Sequence, residues 1–239
     1  MSVYYQDDFV TLYHGDCLEQ TAWLDAEVLV TDPPYGIAWA GVTTGVNKGF
    51  HRFADGIKND ENPETRDKAL ALWGKKPAIV FGSWKIAKPE NVQHRLIWHK
   101  AGMPPGALNA PFMTQDEEIY ILGKGFRPSS PPQRSVITTN EHRGLEVGKI
   151  GHPTPKPLQL MEILIDRCPE GLLADPFAGS GATLLAARNL GRKVIGVEYE
   201  EKYCELIAKR LSQQTFSFVA TKPPVEKIKQ ISLFENYGN

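Results

Sequence analysis

The chain has 239 residues, 41% of them hydrophobic, and a formal net charge of -1. A chain of this length suits one larger α/β domain that buries roughly 70–75% of its unfolded surface, so it needs no disulfide staples. Near-neutral charge excludes a uniformly basic nucleic-acid binder, and any basic surface has to be local.

In chain order the pattern alternates strands with helices. Residues 10–13 read as a strand leading to Gly15-Asp16, followed by a short helix over 18–23 and a buried strand at Val28-Leu29-Val30. After a glycine-rich loop over 36–60, residues 63–73 have a helical pattern, and the strand 78–81 ends at Gly82-Ser83-Trp84. Strands at 95–98 and 118–122 flank a Gly/Pro loop, which suggests a hairpin-like antiparallel edge. A helix over 157–167 has Pro157 in its first turn and carries Leu160, Ile163 and Leu164 at core-facing spacing. A strand at 171–174, a helix at 182–190, a strand at 193–197 and a helix at 200–211 follow. The last helix sets Tyr203, Leu206, Ile207 and Leu211 on one stripe. Residues 212–219 add a final strand or trail off, before Lys222-Pro223-Pro224 breaks the pattern. This alternation implies a doubly wound, mostly parallel α/β sheet with an antiparallel edge, one domain over 1–221, and a tail over 222–239.

Cys17, Cys168 and Cys204 are scattered and odd in number, with no C-x-x-C pair. They point to a reducing compartment and away from a disulfide framework or a zinc site. Residues 1–6 lack the basic and apolar regions of a signal peptide, and no apolar run approaches the roughly 18 residues of a membrane span. The expectation is a cytoplasmic protein with no metal and no membrane partner.

Asp32-Pro33-Pro34-Tyr35 carries the most chemistry. It follows the buried strand, so a carboxylate, two prolines and an aromatic ring stand at a strand's carboxyl end, where open α/β sheets bind ligands. The set suits a flipped-out nucleobase. Asp32 can accept a hydrogen bond from an exocyclic amine, and the Pro33 carbonyl can accept another, with φ fixed by the ring. Tyr35 can stack on the base.

A second element, Asp175-Pro176-Phe177-Ala178-Gly179-Ser180-Gly181, lies between a strand and a helix. That arrangement brings backbone N–H groups and a helix N-terminus to a ligand. Glu198, at the end of the next strand, is placed to accept hydrogen bonds from ribose hydroxyls. Leu184 occupies the place of the third glycine of a dinucleotide fingerprint, so the loop is of another kind.

Together these residues resemble the S-adenosylmethionine-dependent amino-methyltransferases of DNA. Asp-Pro-Pro-Tyr precedes the cofactor loop here, an order that resembles the circularly permuted β-class of that family. The resemblance implies that the Asp175–Gly181 loop cradles the methionine part of the cofactor and that Glu198 holds the ribose. It also implies that Gly15-Asp16 begins the segment contacting the cofactor's adenine. His152-Pro153-Thr154-Pro155-Lys156-Pro157 matches a segment that closes over the cofactor's amino-acid end. Cys17 beside Asp16, Tyr199 beside Glu198, and Asp32 itself complete the expected cofactor set. Two positions depart from the family pattern: Pro155, where Gln is usual, and Ala182, where Thr is common.

The implied reaction is methylation of the N6 amino group of adenine in duplex DNA after base flipping. Asp at position 32 favours adenine, because Ser there more often marks cytosine in the family. Cytosine N4, an RNA or protein substrate, or a nucleotide-binding module without methyl transfer are the alternatives. Two stretches are candidate DNA contacts, with basic groups for phosphates and aromatics for bases. One holds Trp39, Lys48, Arg52 and Lys58, the other Arg127, Arg134 and Arg143. In the tail, Gln230-Ile231-Ser232-Leu233-Phe234 resembles the short peptide by which bacterial proteins dock on the replication sliding clamp. Family members are often dimers, so a homodimer is a further expectation.

Overall fold

Four residues in a row, Val28–Thr31, are all buried, as a strand covered on both faces requires. In the computed structural model, which describes residues 2–38, 56–101, 112, 114–139 and 150–214, this strand is the middle member of a nine-stranded sheet. The strands are β1 (Val3–Gln6), β2 (Val10–His14), β3 (Val28–Thr31), β4 (Ala78–Gly82) and β5 (Val92–Lys100), followed by β6 (Asp116–Leu122), β7 (Val136–Thr139), β8 (Leu173–Asp175) and β9 (Val194–Glu198). The helices are α1 (Glu64–Trp73), α2 (Leu158–Ile165), α3 (Ala182–Asn189) and α4 (Glu201–Gln214).

The sheet order is β1-β2-β9-β8-β3-β4-β6-β5-β7. Strands β2, β9, β8, β3 and β4 are mutually parallel. β6 runs antiparallel to both β4 and β5, and β7 pairs parallel to β5. β1 pairs antiparallel to β2. Only β1 and β6 therefore run against the rest, and the carboxyl ends of β3, β4, β8 and β9 share one edge with the amino end of β6.

Side-chain alternation sorts the core into two layers. Val28, Val30, Ile79, Phe81 and Leu173 face α2, α3 and α4. Leu29, Ala78, Val80 and Ala174 face α1 and a 3-10 turn at Ala22–Asp25. Trp23 from that turn stacks on Trp73 of α1, with ring centroids 5.8 Å apart. Period-two alternation with helices on both faces is the doubly wound arrangement expected from the sequence.

The differences from expectation have local causes. Residues 18–23 do not form a helix. The Asp16 side chain accepts from the Leu18 N–H and its carbonyl from the Glu19 and Gln20 N–H groups, which closes one helix-like turn that does not propagate. The chain then closes only the 3-10 turn. α2 ends at Ile165 rather than 167, because the Arg167 and Cys168 N–H groups bond three residues back and tighten the chain. The antiparallel pair of β5 and β6 forms, yet it is not the edge. β7, between Arg134 and Arg143 of the second candidate DNA-contact stretch, lies outside it, and β1 forms the opposite edge. Residues 212–214 continue α4 instead of starting a strand, and 215–239 lie outside the described residues. Among the described residues, no helix is long and apolar enough to cross a membrane.

Candidate active site

Parallel strands that end together bring their following loops together. β3 ends at Thr31, just before Asp32, β8 at Asp175 and β9 at Glu198, and the three acids line one cavity of about 250 Å³. The two motifs meet through a buried hydrogen bond. The Thr31 hydroxyl donates to Asp175 Oδ1 at 2.7 Å.

Asp175 is a structural anchor behind the cavity surface, at 1% exposure. It also accepts from the Phe177 N–H at 3.1 Å and from Thr183. Burial pushes its carboxyl up to about 6, against the pull of those donors. Glu198 accepts from the Gly179 N–H at 2.7 Å and the Glu200 N–H at 2.8 Å, so it shapes the glycine loop while facing the cavity. Burial lifts it to about 7. Gly179 and Gly181 have φ of +52° and +78°, the left-handed region that glycine adopts without strain. A Cβ on Gly179 would lie 3.2 Å from His152 Nε2, and one on Gly181 would lie 2.8 Å from Ile207 Cγ1 of α4. The loop is thus pressed between the 152–157 segment and α4.

Pro176, Phe177, Ala178, Gly179 and Ser180 line the cavity, with Asp16, Cys17, His152, Thr154, Lys156 and Tyr199 from the expected cofactor set. Pro157 and Gly181 do not line it; they start α2 and α3 behind it. Cys17 is buried and its thiol is pushed up to about 12, so it serves as an inert wall. His152 packs edge-on against Tyr203 with centroids 4.6 Å apart, and its Nδ1 accepts from the Thr154 N–H at 3.2 Å.

Lys156 also ties the 152–157 segment to the Asp32 motif. It is buried, ion-paired with Asp32, and 3.3 Å from Glu117 Oε2. Tyr35, expected to offer its ring, also uses its hydroxyl, which lies 2.8 Å from Asp32 Oδ1 and 3.0 Å from Glu117 Oε2. Burial raises the Asp32 carboxyl, with Lys156 opposing and Glu117 adding to the rise. Burial, together with the two carboxylates, raises the Tyr35 phenol well above its ordinary value. Pro33 is buried and Pro34 partly so, and both line the cavity. The chain leaves the motif through Gly36, at φ +77°, whose N–H donates to Asp60 Oδ1 at 2.7 Å.

Sequence reasoning missed Glu117, Thr31, Thr183 and Asp60. Glu117 sits in Asp116-Glu117-Glu118, which reads as a solvated acidic run. The available signal was its position two residues before the apolar Ile119–Leu122 of β6.

The acidic residues outnumber the basic ones on the cavity wall. Asp16, Asp32, Asp60, Glu117, Asp175, Glu198 and Glu200 stand against Lys58 and Lys156. Such a wall suits a cationic, hydroxyl-bearing ligand and disfavours a pyrophosphate. S-adenosylmethionine, with a sulfonium, an ammonium and a ribose, fits that donor set. Among the described residues, no cluster of His, Cys, Asp and Glu is arranged to hold a metal ion.

Of the expected DNA contacts, Lys58 is exposed and lines the cavity. Arg127 and Arg134 are separated from it. β6 ends and β7 begins at the sheet edge opposite Asp32, and these arginines lie between them. Arg127 pairs with Glu170 at 2.6 Å and donates to the Asp166 carbonyl at 3.0 Å. Trp39, Lys48, Arg52, Arg143 and the tail segment 230–234 lie outside the described residues.

Comparison with known proteins agrees with this geometry. Residues 26–210 match the DNA methylase family (N6_N4_Mtase). The chain is similar to the Type II methyltransferase M2.DpnII of Streptococcus pneumoniae, at 43% identity over 88% of this chain and 92% of that protein. It is also similar to the Type II methyltransferase M.HinfI of Haemophilus influenzae, at 26% identity over 95% of this chain and 73% of that protein. Among solved structures, the M1.HpyAVI–SAM complex aligns with a TM-score of 0.61 and 23% identity, covering 84% of this chain and 98% of that one. The cytosine-N4-specific PvuII DNA methyltransferase aligns with a TM-score of 0.56 and 19% identity, covering 87% and 88%. These two likenesses speak for the fold. With most of its length matched by the family and its two motifs meeting in one cavity, the chain belongs to the DNA methylase family.

Proposed function

We propose that this DNA methylase transfers a methyl group from S-adenosylmethionine to the N6 amino group of adenine in duplex DNA. The observation that carries the reading is the convergence of the Asp32–Tyr35 motif and the glycine loop on one acidic cavity, tied by the Thr31–Asp175 bond. Glu198 accepts hydrogen bonds from the ribose hydroxyls and Asp16 lies toward the cofactor's adenine. The loop and the 152–157 segment enclose the amino-acid end. The motif order, with Asp32 ahead of Gly179, supports the circularly permuted β-class.

When bound, S-adenosylmethionine supplies a methyl group on a sulfonium, a leaving group that takes the bonding pair. The protein's own part is positioning and electrostatics. Base flipping costs a few kcal/mol, and stacking on the Tyr35 ring offsets part of it. The Tyr35 hydroxyl, held by two carboxylates, fixes the plane of that ring. Asp32 and the Pro33 carbonyl accept the two amine hydrogens, which turns the nitrogen lone pair out of conjugation and toward the methyl group. No strong base is needed before attack, because the amine becomes acidic only as the new bond forms. Lys58 meets the DNA backbone at the cavity mouth. In this reading the enzyme works in the cytoplasm on the DNA itself.

Cytosine N4 is the second reading, because its exocyclic amine needs the same acceptors as that of adenine. Incubation with labelled S-adenosylmethionine and unmethylated duplex DNA, followed by nucleoside identification by mass, separates the two. N6-methyladenine is the expected product. N4-methylcytosine would overturn the assignment of the base while leaving the cofactor site intact.

A further inference from the structure

The Asp32 motif has a second carboxylate opposite it, contributed by the reversed strand β6. The Tyr35 oxygen stands between Asp32 Oδ1 and Glu117 Oε2, at 2.8 and 3.0 Å. A phenol carries one proton and can donate to only one of them. With both carboxylates ionised, the other contact sets a hydroxyl lone pair against a carboxylate oxygen. One added proton converts that contact into a hydrogen bond and completes an unbroken chain from Asp32 through Tyr35 to Glu117.

Three further charged groups face this trio. Lys156, from the segment before α2, is buried against Asp32 and Glu117. Lys100, at the end of β5, pairs with Glu117. Asp175, at the end of β8, acts on Asp32 through space. Two lysines opposite two carboxylates balance their charge and favour the ionised form of each, the form that can accept a proton. Only 12% of the Glu117 side chain is exposed, against 23% for Asp32, so Glu117 is the more sheltered end.

We propose that Glu117 is the terminal acceptor of the proton that the target amine loses, with Tyr35 relaying it from Asp32. The inference rests on the assignment of Asp32 to the target amine. When the amine nitrogen gains the methyl carbon it becomes cationic, and one N–H bond breaks toward Asp32, the electron pair staying on nitrogen. Once the new Asp32 O–H turns toward Tyr35, its proton passes to the Tyr35 oxygen while the Tyr35 proton moves to Glu117. Asp32 and Tyr35 return to their starting forms, and Glu117 holds the proton until solvent takes it. Glu117 acts through Tyr35 and is a positioning and proton-holding residue.

The test compares wild-type protein with E117Q, E117D, Y35F and D32N in multiple-turnover methyl transfer, where Asp32 must shed its proton before each new cycle, at rising imidazole concentration. E117Q keeps an acceptor for the Tyr35 hydroxyl but cannot take a proton. Its rate should fall on the order of 10- to 100-fold and recover with imidazole, while the wild-type rate does not respond. Y35F should show the same imidazole dependence, and E117D should lose it. A second readout needs neither DNA nor cofactor. In carboxyl-labelled protein followed by 13C NMR, Asp32 and Glu117 should titrate as a linked pair, and the Asp32 step should move in E117Q. An E117Q variant with wild-type rate, or one whose lost rate ignores imidazole and whose Asp32 titration is unmoved, overturns the relay. Wild-type transfer by D32N would instead overturn the assignment of Asp32. Loss in D32N with wild-type rates in E117Q and Y35F defeats the relay alone.

Discussion

Thr31 and Asp175 are joined by a buried 2.7 Å hydrogen bond between the last residue of β3 and the last residue of β8. The strand that presents the base-binding motif and the strand that opens the glycine loop are therefore locked at the point where both leave the sheet. T31V keeps the shape and removes the donor. Leaving a buried carboxylate short of one partner costs about 1–3 kcal/mol. The expected result is a lower melting temperature and weaker cofactor binding, measured by scanning fluorimetry and calorimetry.

The acids at the strand ends make stability and binding respond to pH in opposite directions. Burial lifts Asp175 from 3.8 to about 6 and Glu198 from 4.5 to about 7. Between each pair of values the folded state holds more protons than the unfolded chain, so the ligand-free protein loses stability as pH rises from about 4 to 7. Cofactor affinity should move the other way, rising up to about tenfold between pH 6 and 8 as Glu198 ionises and becomes a pure acceptor. E198Q should stabilise the ligand-free protein at pH 8 by a few degrees while losing most cofactor affinity. Calorimetry showing the same affinity at pH 6 and pH 8 would argue against Glu198 as the ribose acceptor.

Gly36 tests whether backbone geometry sets the reactive motif. At φ +77°, a Cβ there would stand 2.4 Å from the backbone of Asn62 and Pro63. G36A should displace Asp32 and Tyr35 and reduce methyl transfer at least about 100-fold. Cofactor binding should survive, because the glycine loop belongs to β8 and α3. Equal loss of both would mean that the motif and the loop are one folding unit.

Lys58 and Arg127 were alike as candidate phosphate contacts in the sequence, and the fold separates them. Lys58 lines the cavity, whereas Arg127 is tied to Glu170 near the opposite sheet edge. K58A should reduce the salt dependence of DNA binding by about one phosphate contact, and R127A should leave it unchanged. Affinity measured over a salt series by fluorescence anisotropy reads both.

Asp32, Gly179 and Glu198 were legible because their chemistry lies within a few residues of an apolar strand. The strands were recognisable by composition, and the site followed from where they end. Glu117 was not legible in the same way. Its neighbours in sequence are acids, and its role arises from β6 running against β4 and carrying its amino end to the shared edge. Lys156 was found as part of a segment, yet its ion pair with Asp32 joins residues 124 positions apart in the chain. The helix expected over 18–23 stops after the single turn capped by Asp16, and residues 22–25 close a 3-10 turn instead. β7 was hidden in a basic, proline-rich stretch, and only its pairing with β5 gives it strand geometry.

The most direct test of the site assignment is single-turnover methyl transfer by D32N beside wild-type protein, with cofactor affinity measured on the same samples. Asn at position 32 keeps one acceptor oxygen but carries no charge and cannot take the amine's proton. Wild-type protein should yield N6-methyladenine and D32N no detectable product, with cofactor affinities within a few-fold of each other. D32N that methylates at the wild-type rate would mean that the amine is held by residues other than Asp32.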